Sequence, residues 1–337
     1  MGGNALNFKT RRLDKAEFLI VRDEVLTILR QLYPNTSFWA LEGYRDKTDF
    51  GDLDIIIRAD NKDNYDFTDI RRAFRSKDWN RNSNCWSLDY KDFQIDLIFM
   101  APENYASSIA YYQNGDCSNI LGVIFKKFGL KFGHRGLSYT VFHGNYPFAE
   151  IVLTKDIGEI LRFIGLYEQP YLFGFNNLEE IFTYITKSVY FRPDIFLFEN
   201  LNHENRTRNR KRPTYAAFVE WCLKNKDSLP HYKYFSDNNI YWESLINASF
   251  PGFLDKVAYY REQIETVERF KTRYNGELVS ELTGLSGKEL GQFMAFIREH
   301  GGSKETFMQK VLDLDENGVK VLVLEHYKLF NNSCETL

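Results

Sequence analysis

Cysteine is scarce in this 337-residue chain and badly placed for its usual structural tasks. Cys85, Cys117, Cys222 and Cys334 lie far apart and form no CxxC pair, which argues against a zinc ribbon or a disulfide framework and suits a reducing compartment. The six histidines show no HxH or HExxH spacing, so a histidine-built metal site is not expected. Phosphate loops of the GxxxxGK[ST] and GxGxxG kinds are absent, as is a GxSxG elbow, and the enzyme classes built on them are set aside. No apolar run approaches the roughly 18 residues of a membrane span. The amino terminus, MGGNALNFKTRR, has no apolar signal-peptide core, and Leu6 stands where a myristoylation signal beginning at Gly2 needs Ser or Thr. A soluble, cytoplasmic protein with no membrane partner is expected. An excess of one charge is lacking too: 43 Lys and Arg face 46 Asp and Glu, for a net charge of −3. Any surface for a polyanion must therefore be a local patch.

What is present fits a globular protein of about two domains, with 44% hydrophobic and 26% charged residues. Aromatics are abundant at 16%; such residues mostly fill cores, and some can stack bases. Residues 14 to 33 repeat apolar positions at three and four and predict an amphipathic helix, stopped by Pro34 and Asn35. A short strand is expected at 37 to 43, a second in GDLDIIIR, and a helix over 64 to 79. CWSLDY (85 to 90) and FQIDLIFM (93 to 100), separated by Lys91 and Asp92, predict a hairpin. Helical patterns follow at 104 to 113 and 117 to 128, then a strand at 136 to 142. Beyond about 154 the patterns are helical, and Asn177 with Glu180 three residues on marks one helix start. The expected class is α+β, with a mixed head over 1 to 155 and a mainly helical body over 156 to 337.

The chemistry concentrates in GDLDIII, residues 51 to 57. Asp52 and Asp54 alternate with Leu53, so both project from one side of a strand whose continuation reads as buried. A buried carboxylate is costly unless paired or metal-bound. FQIDLIFM carries one charge inside its apolar run, Asp96. Three carboxylates from two strands suit two Mg²⁺ ions, with Mn²⁺ as a substitute, because hard oxygen ligands hold such ions and share them with substrate phosphates.

These residues resemble the nucleotidyltransferase superfamily of DNA polymerase beta. The resemblance rests on Gly43-Tyr44, a short gap, Asp52-Leu53-Asp54 and a later hydrophobic-Asp-hydrophobic strand, and covers roughly residues 37 to 100. It implies a polymerase beta-like head in which Asp52 and Asp54 bind both metals and Asp96 is base or ligand to the attacking hydroxyl. Gly43 and the following turn, with Tyr44, Arg45, Lys47 or Thr48, would meet the phosphates of a nucleoside triphosphate. The family has Ser or Gly after its first glycine; Tyr44 departs from that pattern.

Two further stretches bear on the acceptor. NHENRTRNRKRPTY (202 to 215) gathers Arg206, Arg208, Arg210, Lys211 and Arg212, a density able to neutralise a nucleic-acid backbone; a solvated loop is the plainer alternative. FKKFGLKFGHRG (125 to 136) interleaves bases and aromatics and reads either as a groove lining or as core. YNGELVSELTGLSGKELGQFMAFI (274 to 297) resembles the tail of bacterial-type CCA-adding enzymes through Asn275, Gly276, Leu278, Gly284, Gly287, Leu290 and Gly291. That resemblance implies a helix, a glycine turn and a second helix that engage tRNA; a helical hairpin that only packs is the alternative. The proline usual in that turn is replaced by Ser286-Gly287. The expected function is template-independent transfer of a nucleotide to an RNA 3′ end, with a tRNA as acceptor. A DNA repair polymerase and nucleotidylation of a protein are the alternatives, and a non-catalytic nucleic-acid-binding protein is the reading from another class.

Overall fold

The computed structural model describes residues 3–234 and 239–334, so Gly2 lies outside the described residues. The chain forms two compact units, one of Met1–Thr140 with Glu150–Leu254 and one of Val141–Ala149 with Asp255–Leu337.

The first unit opens with the expected amphipathic helix, α1 (Lys15–Leu32), whose N-cap Asp14 accepts from the Glu17 amide at 2.9 Å. A side-chain oxygen at this position satisfies a backbone donor the helix leaves unpaired, worth about 1 kcal/mol. The chain then forms β1 (Phe38–Ala40), β2 (Asp52–Arg58) and α2 (Phe67–Phe74). The helix expected over 64 to 79 is shorter. It starts behind the Asp66 cap and ends where Arg75 turns left-handed at φ 52°. Beyond it lies an exposed strand that the sequence pattern did not suggest, β3 (Trp79–Asn82). Its pairing partner, β4 (Cys85–Tyr90), leads into β5 (Phe93–Met100) as the expected hairpin. Lys91 and Asp92 both adopt positive φ, 54° and 63°, matching a two-residue turn to the twist of its strands.

The sheet runs β1-β2-β5-β4-β3, with β2 and β5 parallel and the other neighbours antiparallel. Alternation divides its faces. Leu53, Ile55 and Ile57 of β2 and Ile95, Leu97 and Phe99 of β5 share one core with Phe18, Val25 and Leu29 of α1 and Ile70 and Phe74 of α2. Full burial of such side chains is worth about 1.5–3 kcal/mol each. The opposite side of the same strands carries Asp52, Asp54, Gln94 and Asp96, with Asp52 beside Gln94 and Asp54 beside Asp96.

The expected helices follow as α3 (Pro102–Tyr112) and α4 (Cys117–Lys126). A second sheet contains β6 (Leu130–Gly133), β7 (Gly136–His143) and β8 (Tyr146–Thr154), in that order. Only β7 was expected. The 125 to 136 run supplies core: Phe125, Phe128 and Phe132 are buried, and the Phe125 and Phe132 rings meet edge to face at 5.4 Å. Lys131 and Arg135 instead face Glu150.

Next come α5 (Ile157–Phe163), α6 (Glu168–Phe173) and α7 (Leu178–Thr186), the last capped by Asn177 as expected, with the Glu180 amide donating at 3.0 Å. The basic run is not an irregular loop: it forms α8 (His203–Arg210), and Pro213 at the first position of α9 (Pro213–Lys224) makes the elbow. After α10 (Asn239–Ser249) come α11 (Phe253–Arg273), α12 (Gly276–Thr283), α13 (Gly287–His300), α14 (Lys304–Asp313) and α15 (Glu316–Cys334). The change to helical structure near 155 and the division into compact units are different boundaries, because α5 to α10 belong to the unit that contains the five-stranded sheet.

Within the second unit, Tyr274, Val279, Phe293, Ile297, Phe307, Val311 and Val323 form the core. Asn275 caps α12 by accepting from the Leu278 amide at 2.9 Å, and Gly284 ends it left-handed at φ 75°. The expected helix, glycine turn and helix are all present. Among the described residues no helix is long and apolar enough to cross a membrane.

Candidate functional site

The parallel pairing of β2 and β5 decides the local chemistry. It sets Asp54 directly beside Asp96, and the two-residue period puts Asp52 on the same side. One oxygen from each of the three carboxylates lies within 4.8 Å of the others, and all three side chains are half-buried. Crowded charges in a poorly hydrated place resist ionisation. Burial pushes the Asp96 carboxyl up to about 6, opposed by hydrogen bonds from Ser87 and Gln94. Asp54 is raised well above the ordinary carboxylate range by burial first, then by the charges of Asp52 and Asp96.

Compensation from the protein is sparse. Asp52 accepts from the Gly3 amide at 3.2 Å, and Asp96 accepts from the Gln94 side-chain amide at 3.0 and 2.9 Å. Among the described residues no cation reaches ion-pair distance of any of the three acids. Lys47 is the lysine whose charge is felt there: burial lowers its pKa, while Asp52 and Asp54 raise it. Arg12, which also lines the cleft, feels Asp52 as well but is paired with Asp49, and the three carboxylates form an all-oxygen donor set that could hold a metal ion.

Asp52 and Asp54 lie in a cleft of about 1150 Å³ that falls wholly within the first unit. Gly43, Tyr44 and Lys47 also line it, so three of the five residues expected to meet the phosphates sit beside the acids, while Arg45 and Thr48 are not among the lining residues. Gly43 holds its turn at φ 74°, a left-handed conformation that favours glycine. The Lys47 ammonium lies 4.5 Å from the centre of the Phe50 ring. Arg45 is directed elsewhere: its guanidinium donates to the Phe173 and Gly174 carbonyls and to Asn176, and stacks over Phe173.

The basic run divides likewise. Arg208, Lys211 and Arg212 line the cleft. Arg208 and Asp54 both act on the hydroxyl of Tyr112, which burial pushes up to about 12. Arg212 is already engaged, in an ion pair with Asp116. Arg206 is half-buried and donates to the Glu199 and Leu201 carbonyls. Arg210 is exposed and is not among the cleft residues.

The sequence reading missed the wall made by the α3–α4 turn, where Tyr111, Tyr112, Asn114 and Asn119 enter the cleft. Its signal was available: YYQNGDCSN places an Asn-Gly turn between two helical patterns. It also missed Gln94, two residues before Asp96 and therefore on the same side of β5.

No protein-family model matches the chain, and no curated protein matches it.

Proposed function

We propose that the protein is a metal-dependent nucleotidyltransferase that adds nucleotides from a nucleoside triphosphate to the 3′ hydroxyl of an RNA, with tRNA as acceptor and no template. One observation carries this reading: three carboxylates converge from two parallel strands beside a cleft whose lining also includes Arg208 and Lys211. Acidic and basic groups in one cleft suit a polyanionic substrate bound through a divalent cation.

Asp52, Asp54 and Asp96 would hold the metal, Mg²⁺ or Mn²⁺ from the donor set, and the resemblance to polymerase beta implies two ions. Bound there, the metal would neutralise phosphate charge and lower the pKa of the attacking hydroxyl. Lys47 and the amides of the Gly43 turn would bind the triphosphate tail. In the transfer, the acceptor 3′ oxygen bonds to the α-phosphorus, the bond to the pyrophosphate oxygen breaks, and the hydroxyl proton passes to the Asp96 carboxylate. Arg208 and Lys211 would hold backbone phosphates of the acceptor. The choice of tRNA draws on the helix–glycine turn–helix of α12 and α13, which matches in local form the resemblance to CCA-adding enzymes.

The test is incubation of the full chain with labelled nucleoside triphosphates, Mg²⁺ and, separately, tRNA, primed DNA and a protein extract. Label on tRNA that is lost in Asp54→Asn supports the proposal. Label on primed DNA alone makes the protein a DNA polymerase, label on protein alone a protein-nucleotidylating enzyme, and no label anywhere overturns the enzymatic reading.

A further inference from the structure

Gln94 is 2% exposed on β5, in register with Asp52 and two residues from Asp96. A buried side-chain amide must satisfy both ends, and here the two ends are distinguishable. The Ala5 backbone N–H donates to Gln94 Oε1 at 2.9 Å. A backbone amide can only donate, so that contact fixes the oxygen and turns Nε2 toward Asp96. Nε2 then lies 3.0 Å from one Asp96 oxygen and 2.9 Å from the other, clamping the carboxylate plane from one side.

The same amino-terminal stretch reaches a second acid. The Gly3 amide donates to Asp52 Oδ2 at 3.2 Å, and Thr10 Oγ1 donates to the Gly3 carbonyl at 2.9 Å. Gly3 sits at φ 84°, where an added Cβ would lie 2.4 Å from the Gly51 carbonyl oxygen. Only glycine brings this backbone so close. Residues 3 to 5 therefore touch Asp52 directly and Asp96 through Gln94.

We infer that Gln94, set by the Ala5 amide, is a positioning residue that fixes the Asp96 carboxylate for metal binding, with the Gly3 amide doing the same for Asp52. The inference rests on the metal-binding reading of the three acids. Without Gln94 the Asp96 carboxylate keeps only the hydrogen bond from Ser87 and can turn away from the oxygens of Asp52 and Asp54, and ligand orientation by such outer contacts is worth about 10–100-fold in metal affinity.

The test is titration of the purified full chain with Mn²⁺, with free ion followed by electron paramagnetic resonance and no nucleotide present. Wild type should bind Mn²⁺ and Asp54→Asn should not. Gln94→Met, which keeps the volume and removes both polar ends, should bind at least tenfold more weakly while melting cooperatively in EDTA. Gly3→Ala should weaken binding independently, and serves as the measurement if Gln94→Met does not fold. Where transfer is measurable, Gln94→Met should lower kcat with KM for the triphosphate little changed. Mn²⁺ affinity lost in Asp54→Asn but within twofold of wild type in Gln94→Met (or in Gly3→Ala, if that is the variant read) overturns the positioning role alone. Wild-type protein that binds no Mn²⁺, or binds it regardless of Asp54→Asn, overturns the metal reading and this inference with it.

Discussion

Asp96→Asn replaces a carboxylate that the folded protein keeps half-buried among two others. In the metal-free protein the carboxyl is raised from 3.8 to about 6, with burial as the first cause. An acid that is harder to ionise when folded contributes stability that is lost as pH rises through its folded value. With about 1.4 kcal/mol per unit, full ionisation at pH 8 costs the metal-free fold about 3 kcal/mol, and at pH 5 about half of that. Asparagine escapes the cost at both pH values. It turns an NH₂ toward Gln94 Nε2 and so forfeits a hydrogen bond worth about 1 kcal/mol, independent of pH. The net gain is about 2 kcal/mol at pH 8 and under 1 at pH 5, or roughly 4–8 °C against 1–2 °C at the 2–4 °C per kcal/mol usual for a unit of this size.

The assay is thermal unfolding in EDTA at the two pH values. All five tryptophans, Trp39, Trp79, Trp86, Trp221 and Trp242, lie in the first unit, so their fluorescence follows that unit alone. Saturating Mg²⁺ or Mn²⁺ should then reverse the order at pH 8, because only wild type gains from ligand binding, about 2.7 kcal/mol at a hundredfold excess over Kd. Equal melting-temperature differences at pH 5 and pH 8, or a variant less stable than wild type in EDTA at pH 8, would refute the charge-crowding account.

Transfer should require Mg²⁺ or Mn²⁺ and survive a zinc-selective chelator, since the proposed ligands are all oxygens; stoichiometric zinc in active protein would contradict this. Arg208→Ala with Lys211→Ala should weaken RNA binding whatever its sequence and flatten the slope of log affinity against log salt by roughly 1.4, at about 0.7 per phosphate contact. An unchanged slope by filter binding would remove both residues from the acceptor path. Arg206→Ala should behave differently: its guanidinium holds the Glu199 and Leu201 carbonyls, so the variant should lose about 1–3 kcal/mol of stability, with its salt slope unchanged.

How much of this was legible in the sequence follows from which contacts are local. Period-two alternation made the shared side of Asp52 and Asp54 readable, the unbroken isoleucine run made the burial of β2 readable, and the Lys91–Asp92 pair made the hairpin readable, because all three are written in adjacent residues. The start of α7 was readable for the same reason, since Asn177 accepts from an amide only three residues ahead. β3 was not, because four exposed residues have no buried side to impose a pattern and owe their form to pairing with β4. Arg45 and Arg206 looked like free cations until the fold brought carbonyls to them, and the Arg45 partners lie about 130 positions along the chain.

Gln94 joins both kinds of information. Its place on the acidic side of β5 is local and follows from Asp96 two residues on. Its orientation depends on Ala5, 89 positions away, and no pattern within β5 distinguishes an amide that turns its nitrogen to a carboxylate from one that turns its oxygen. A strand can therefore announce which acids share a side while the rest of the chain decides how rigidly they are held. For this cleft that second decision lies with a short amino-terminal stretch whose contacts are made by backbone amides. Substitutions there would leave the acidic residues intact and still change the geometry they offer a metal.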